Sequence, residues 1–250
     1  MPLRAIVFDL FDTLVDLDMD GLPLVTLNGR SFPSTAGVLH EELARHAPIS
    51  LNELARAQRA VDQEVRAPRY EAGRELPTRE RMDLVLARLG VRDDGALAER
   101  LTALHMGLLV AQVRRLAHHA ELLGALRRRA QLAVCSNFSH SQTAFAVLEA
   151  AGLRWSFDAV LISDAVGFRK PRPEIFRATL GALGSAPDET LHVGDNLAAD
   201  IAGAAALGMR TAWITRRVAK VDEALANHTG ARPDHVVADL RELAEIVRRA

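Results

Sequence analysis

The chain has 250 residues, 49% of them hydrophobic and 25% charged, enough to build a sizeable core for one large domain or for one domain carrying an insertion. Its 31 basic and 32 acidic side chains leave a net charge of -1, which excludes a long-range field drawing it to nucleic acid or an anionic membrane. The single cysteine, Cys135, excludes an intramolecular disulfide, and no stretch approaches the ~18 apolar residues of a membrane span; a cytoplasmic protein with a reduced, buried thiol is expected.

The first element is the apolar run Ala5 to Phe8, which ends at Asp9. An uninterrupted run of this kind reads as a buried parallel strand, because a strand covered on both faces need not alternate. Residues 16 to 21 then begin like a calcium loop, but Leu27 stands at the twelfth position, where a bidentate glutamate is needed, and a solvated acidic linker is expected instead. Leu22 to Leu27, Asn28-Gly29 and Arg30 to Phe32 predict a hairpin, since Asn-Gly supplies the positive φ angles of a tight turn. Helices follow at about 35–46, 50–67, 78–89 and 94–116, the second opened by the capping-box pair Ser50 and Glu53. The interval from about 16 to 115 is too long for an ordinary crossover and predicts an inserted, mainly helical domain. His118-His119 lacks a metal-ligand partner pattern and marks the return from the insert.

Beyond it, the runs Leu132 to Cys135, Ala159 to Ile162, Leu191 to Val193 and Thr211 to Ile214 read as further strands. Helical patterns at Ser139 to Ala151, Pro173 to Leu183, Ala198 to Leu207 and Asp239 to Arg249 separate or follow them, with Pro173 at a first turn that tolerates it. Strands alternating with helices predict an α/β fold, a doubly wound parallel sheet. Trp155 and Trp213 read as packing residues beside strands.

Chemistry concentrates where predicted strands end. Asp9 lies just beyond the carboxyl end of the first strand, where open α/β sheets put their ligands. Ser136-Asn137, then Arg169-Lys170-Pro171, then Gly194-Asp195 with Asp200 five residues beyond Asp195, follow the later strands in order. Physically, an aspartate serves as a covalent nucleophile toward an anionic substrate when cations overcome the like-charge repulsion. Lys170 is one such cation, and a divalent metal on hard carboxylate oxygens supplies another. As isolated residues, Ser136 and Asn137 could equally cap a helix, and Asp200 could be solvated. Asp9 and Asp195 each follow an apolar strand, where a lone carboxylate is expensive to desolvate.

Together these four segments resemble the motifs of the haloacid dehalogenase superfamily, over about residues 3–15 and 118–250, with the insert where one subfamily carries its helical cap. The resemblance implies a Rossmann-like core of residues 1–15 and 116–250, a cap of 16–115, and hydrolysis with Asp9 as nucleophile. It implies Mg²⁺ held by Asp9, Asp195 and the backbone carbonyl of Phe11, with Asp200 orienting the metal site from behind. Ser136 would donate its hydroxyl to a phosphoryl oxygen, Lys170 would supply positive charge, and Asn137 and Phe11 would adjoin the substrate. The expected partner is a small molecule, with neither nucleic acid nor membrane, and the sequence leaves the oligomeric state open.

The pattern breaks at Phe11. Phosphatases of the family carry there a second aspartate that protonates the leaving alcohol, and losing general acid-base catalysis commonly costs about 10² to 10⁴ in rate. Asp12 is adjacent, and would substitute only through a local bend. An aromatic residue here resembles the haloacid dehalogenases, whose halide leaves without a proton; those typically lose the Gly-Asp motif, which Gly194-Asp195 retains. Mg²⁺-dependent hydrolysis of a small phosphorylated metabolite is therefore the leading expectation. A 2-haloacid dehalogenase-type activity and a catalytically silent ligand-binding protein are the alternatives. If only the acid is missing, leaving groups that need no proton, such as acyl or aryl phosphates, react best.

Overall fold

All four side chains of Ala5–Phe8 are buried, as a strand covered on both faces requires. In the computed structural model, which describes residues 2–92 and 95–249, this strand is central to a six-stranded sheet. The order is His235–Val237, Arg210–Ile214, Thr190–Gly194, Ala5–Phe8, Gln131–Ser136, Ala159–Ile162, and every pairing is parallel. The chain starts in the middle, builds outward on one side, then returns to build the other. That reversal creates a crevice at the carboxyl ends of the strands. Register sets Phe8 opposite both Val134 and Val193, so Asp9, Ser136 and Asp195 leave three adjacent strands at one edge.

The expected strands are all present. The helix Pro173–Leu183 runs over the expected residues, with proline in its first turn. His235–Val237 and the helix His119–Leu126 are not anticipated; three residues are too few to show a period, and the second lies against the expected domain return. The pattern at 198–207 is resolved differently: a wide π turn, Leu197–Ala202, leads into Gly203–Ala205. Asn196 caps it, its side-chain oxygen accepting from the amides of Ala198 and Ala199 at 3.0 and 2.9 Å. Trp213 is buried as expected, but Trp155 is 80% exposed, with the Arg154 guanidinium 5.4 Å from its ring centroid. It does not pack beside a strand, because it lies in the short 3-10 turn Arg154–Ser156 before Ala159–Ile162.

The chain folds as two units, Met1–Asp16 with Arg115–Ala250, and Leu17–Arg114. The second contains the hairpin Leu24–Leu27 and Arg30–Pro33, turned by Asn28 at φ 52° and Gly29 at φ 76°. Its helices Ala36–Leu43, Leu51–Val65, Thr78–Arg88 and Ala96–Ala111 bury an apolar cluster including Leu43, Leu54, Val61, Met82, Leu86 and Leu101. Ser50 and Glu53 form the expected capping box, with Ser50 N donating to Glu53 Oε2 at 2.8 Å and Glu53 N to Ser50 Oγ at 3.3 Å. The last helix stops short of the expected 116, since Val113–Arg115 is extended and pairs with Val15–Leu17; its expected start at residue 94 lies outside the described residues. None of the described helices is long and apolar enough to cross a membrane.

Candidate active site

Asp9 continues the central strand by one hydrogen bond, its N–H donating to Val193 O at 2.9 Å, and its side chain is buried at the strand end. Lys170, itself 4% exposed, reaches the same point. Its Nζ donates to Asp9 Oδ1 at 2.6 Å and to Cys135 O at 2.6 Å, and lies 2.7 Å from Asp200 Oδ1. An ammonium has three protons, and these three acceptors use them all. Burial alone would lower the lysine pKa, but Asp200 and Asp9 outweigh it and hold the group charged. Asn137 fixes the backbone of Lys170 from both sides: Nδ2 donates to Lys170 O at 2.9 Å, and Lys170 N donates to Oδ1 at 2.7 Å. Expected beside the substrate, Asn137 is found bracing the lysine.

Asp200 is buried, which favours its neutral form, but Lys170 and His192 reverse that and hold the carboxyl below its ordinary range. His192 Nε2 lies 3.0 Å from Oδ1, and the backbone N–H of Asn196 donates to Oδ2 at 3.0 Å. Burial keeps His192 below the usual histidine pKa despite that partner; because an ionised carboxylate only accepts, Nε2 is the donor of this contact. Gly194 is required by this packing, because a Cβ there would meet Asp200 Cγ at 2.3 Å.

Asp195 follows on the same strand and is half-buried, its carbonyl accepting from Trp213 Nε1 at 2.7 Å. Burial, then the charges of Asp9, Asp200 and Asp12, push its carboxyl up to about 7. Burial also raises Asp9, to about 6, against the pull of Lys170. One ammonium thus faces several carboxylates, a local deficit of positive charge. Oxygens of Asp9, Asp195 and Asp200 come within 4.8 Å of one another, and hard carboxylate oxygens suit Mg²⁺. The residues fit such an ion. Since Asp200 already accepts from Lys170, His192 and Asn196, Asp9 and Asp195 are the carboxylates better placed to ligate it directly.

Two buried hydroxyls at this edge, Ser136 Oγ and Thr13 Oγ1, have no hydrogen-bond partner among the described residues. Such groups call for an explanation. Phe11, two residues beyond Asp9, has its ring centroid 4.7 Å from that of Phe138. The local bend considered for Asp12 exists, at φ 59°, but Arg217 Nη1 donates to its Oδ1 at 2.6 Å and Arg216 Nη2 to its carbonyl at 3.3 Å. Cys135 is fully buried and its thiol pushed up to about 11 by burial, as expected of an inert cysteine.

Sequence reasoning missed His192, Trp213 and Phe138 as contributors. A histidine inside the apolar run Leu191 to Val193 was a usable signal, since a buried imidazole needs a partner. Nothing local marks Trp213 or Phe138 for these contacts, because their partners Asp195 and Phe11 come from other segments of the chain.

A family model described as haloacid dehalogenase-like hydrolase matches residues 3–208. A phosphoserine phosphatase of Thermus thermophilus is 44% identical over 96 residues, 38% of this chain and 36% of that relative's length. Among solved structures, a 2-haloacid dehalogenase from Pseudomonas syringae pv. tomato is similar with a TM-score of 0.71, 23% identity and 99% of each chain covered. The HAD-hydrolase YfnB of Bacillus subtilis, bound to magnesium, is similar with a TM-score of 0.63, also at 23% identity and 99% coverage of each chain. At that identity the structural likeness concerns the fold.

Proposed function

The chain belongs to the haloacid dehalogenase-like hydrolase family, and on that premise we propose that it hydrolyses a small phosphorylated metabolite with Asp9 as nucleophile. The observation that carries this reading is the cluster of Asp9, Asp195 and Asp200, whose carboxylate oxygens come within 4.8 Å of one another beside Lys170; such a cluster favours a bound cation. Mg²⁺, held by Asp9, Asp195 and the carbonyl of Phe11, would neutralise part of the phosphoryl charge. Lys170 neutralises more, and Ser136 donates its hydroxyl to a phosphoryl oxygen. An Asp9 oxygen bonds to phosphorus, and the ester P–O bond breaks with its electron pair on the leaving oxygen. Water then cleaves the aspartyl phosphate, restoring the carboxylate and releasing phosphate. Asp200 and Asn137 hold Lys170 in place. Residues 17–114 serve as the cap that selects the substrate.

The test is phosphate release from a panel of phosphomonoesters with Mg²⁺ and with excess chelator, for wild type and Asp195→Asn. Turnover should need the metal and fall by at least about 10² in the variant, since about 3 kcal/mol of transition-state stabilisation is withdrawn. Undiminished turnover in chelator overturns the reading. Phe11 favours a second one, metal-independent cleavage of a carbon-halogen bond, and the named activity of the Pseudomonas neighbour agrees with it. Halide release from 2-haloacids, with an Asp9 ester seen by mass spectrometry, would select that alternative.

A further inference from the structure

We infer that Phe11 and Phe138 form an aromatic wall for the leaving group and that the substrate is an aryl phosphate, a monoester whose bridging oxygen is bonded directly to an aromatic ring. This rests on the phosphoryl-transfer reading above. Phe11 lies two residues after Asp9 and Phe138 two after Ser136, in the segments that follow two adjacent parallel strands paired with Phe8 opposite Val134. Their ring centroids are 4.7 Å apart, with planes inclined at 46°. Phe8 and Phe176 are fully buried in the core, whereas both of these rings are half-buried at the edge where open α/β sheets bind ligands. Phe138 is also held in place. Its N–H donates to Ser163 Oγ at 2.9 Å, and that hydroxyl lies 3.3 Å from Phe138 O, with Ser163 itself fully buried.

Leaving-group chemistry narrows the class further. Attack by Asp9 forms one P–O bond and breaks the ester P–O bond, leaving the electron pair on the departing oxygen. Phe11 cannot protonate that oxygen; Asp195 faces the proposed metal beside Asp9, Asp200 is engaged by Lys170, His192 and Asn196, and Asp12 is engaged by Arg217 at 2.6 Å. The departing group must therefore be stable as an anion. A phenolate qualifies, since a phenol has a pKa of about 10, and it takes its proton from solvent after departure; an alkoxide does not qualify. Water then attacks the aspartyl phosphate, the Asp9–phosphorus linkage breaks, and phosphate leaves. An acyl phosphate also departs without help but offers no ring to the wall, whereas an aryl group offers the edge or face that half-open aromatic side chains pack against.

Three probes separate these demands: phenyl phosphate, cyclohexyl phosphate of similar size without an aromatic oxygen, and acetyl phosphate with a good leaving group but no ring. kcat and KM are measured with saturating Mg²⁺ for wild type, Phe138→Leu and Phe138→Ala. Wild type should favour phenyl over cyclohexyl phosphate by at least about 10² in kcat/KM, the usual contribution of the missing acid. In Phe138→Leu, which keeps apolar bulk without the ring, the phenyl-to-acetyl ratio of kcat/KM should fall about 3- to 10-fold, chiefly through KM, as loss of an aromatic contact does. The alanine variant should lower it at least as far. If wild type treats phenyl and cyclohexyl phosphate alike, or neither variant moves the phenyl-to-acetyl ratio, the aromatic wall is wrong while phosphoryl transfer stands. If none of the three releases phosphate, both inferences fall.

Discussion

The two units of the chain differ in how far they take paired charges out of water. In Leu17–Arg114 the helices bury an apolar cluster, with Glu75 also buried in that unit, and other charged residues pair at its surface, as Arg79 does with Glu99 at 2.9 Å. Exposed pairs of this kind each contribute only about 0–1 kcal/mol, so burial of side chains such as Leu54 and Leu86 holds this unit together. The α/β unit instead takes Asp9, Lys170, Asp200 and His192 out of water at the ends of its central strands. A buried ion pair seldom improves on an apolar replacement, but breaking one is costly. The α/β unit therefore maintains a charged cluster that burial energetics alone would not favour.

The largest expected effect comes from breaking the buried cluster. Lys170→Met keeps the apolar stem but strands Asp9 and Asp200, and should lower unfolding free energy by about 3–5 kcal/mol, read from denaturant midpoints. A loss no larger than that of an exposed pair would erase the contrast. Next, Leu86→Ala in the helical unit should cost about 3 kcal/mol through lost burial and the cavity left behind. Native-state hydrogen exchange should place that loss in amides of residues 17–114, leaving the central strands protected; uniform deprotection would make the two units one cooperative whole.

The smallest effect sharpens the comparison through pH. His105 lies in the helical unit with Nδ1 2.9 Å from Thr35 Oγ1, and burial, with Arg81 adding to it, pushes its pKa down to about 4 from an ordinary 6.5. The folded state binds the proton more weakly than the unfolded chain, so protonation favours unfolding. The stability linked to His105 is intact above about pH 6.5 and is lost as pH falls through 4, by about 2 kcal/mol once its partial exposure is allowed for. His105→Asn, compared with wild type by urea melts between pH 7 and 4, should remove that part of the slope. Parallel slopes in the two proteins would refute the assignment.

Much of this was legible because the relevant signals are local. A run such as Ala5–Phe8 must be buried, Asn28-Gly29 must turn, and Ser50 with Glu53 must start a helix, since each follows from the preferences of a few adjacent residues. Aspartates that end apolar strands announce themselves for the same reason: desolvating them alone is expensive. Less legible were the segments where neighbours far along the chain decide. Val113–Arg115 continues a helical pattern yet pairs as a strand with Val15–Leu17, and Trp155 is exposed although its residue type suggests burial.

The sequence by itself therefore determined the parallel α/β architecture, the long helical insertion and the identity of the charged residues at the strand ends. Only the tertiary structure decided how those residues divide their roles. Asn137 is turned to the backbone of Lys170, 33 residues away; Asp200 is committed to Lys170 and His192; Asp12 is drawn to Arg217; and Phe11 meets Phe138. Each of these depends on how segments separated along the chain pack together. A side chain's partners, burial and proton affinity are set by what lies within a few ångströms, and local propensity carries no information about which distant strand will bring that neighbour.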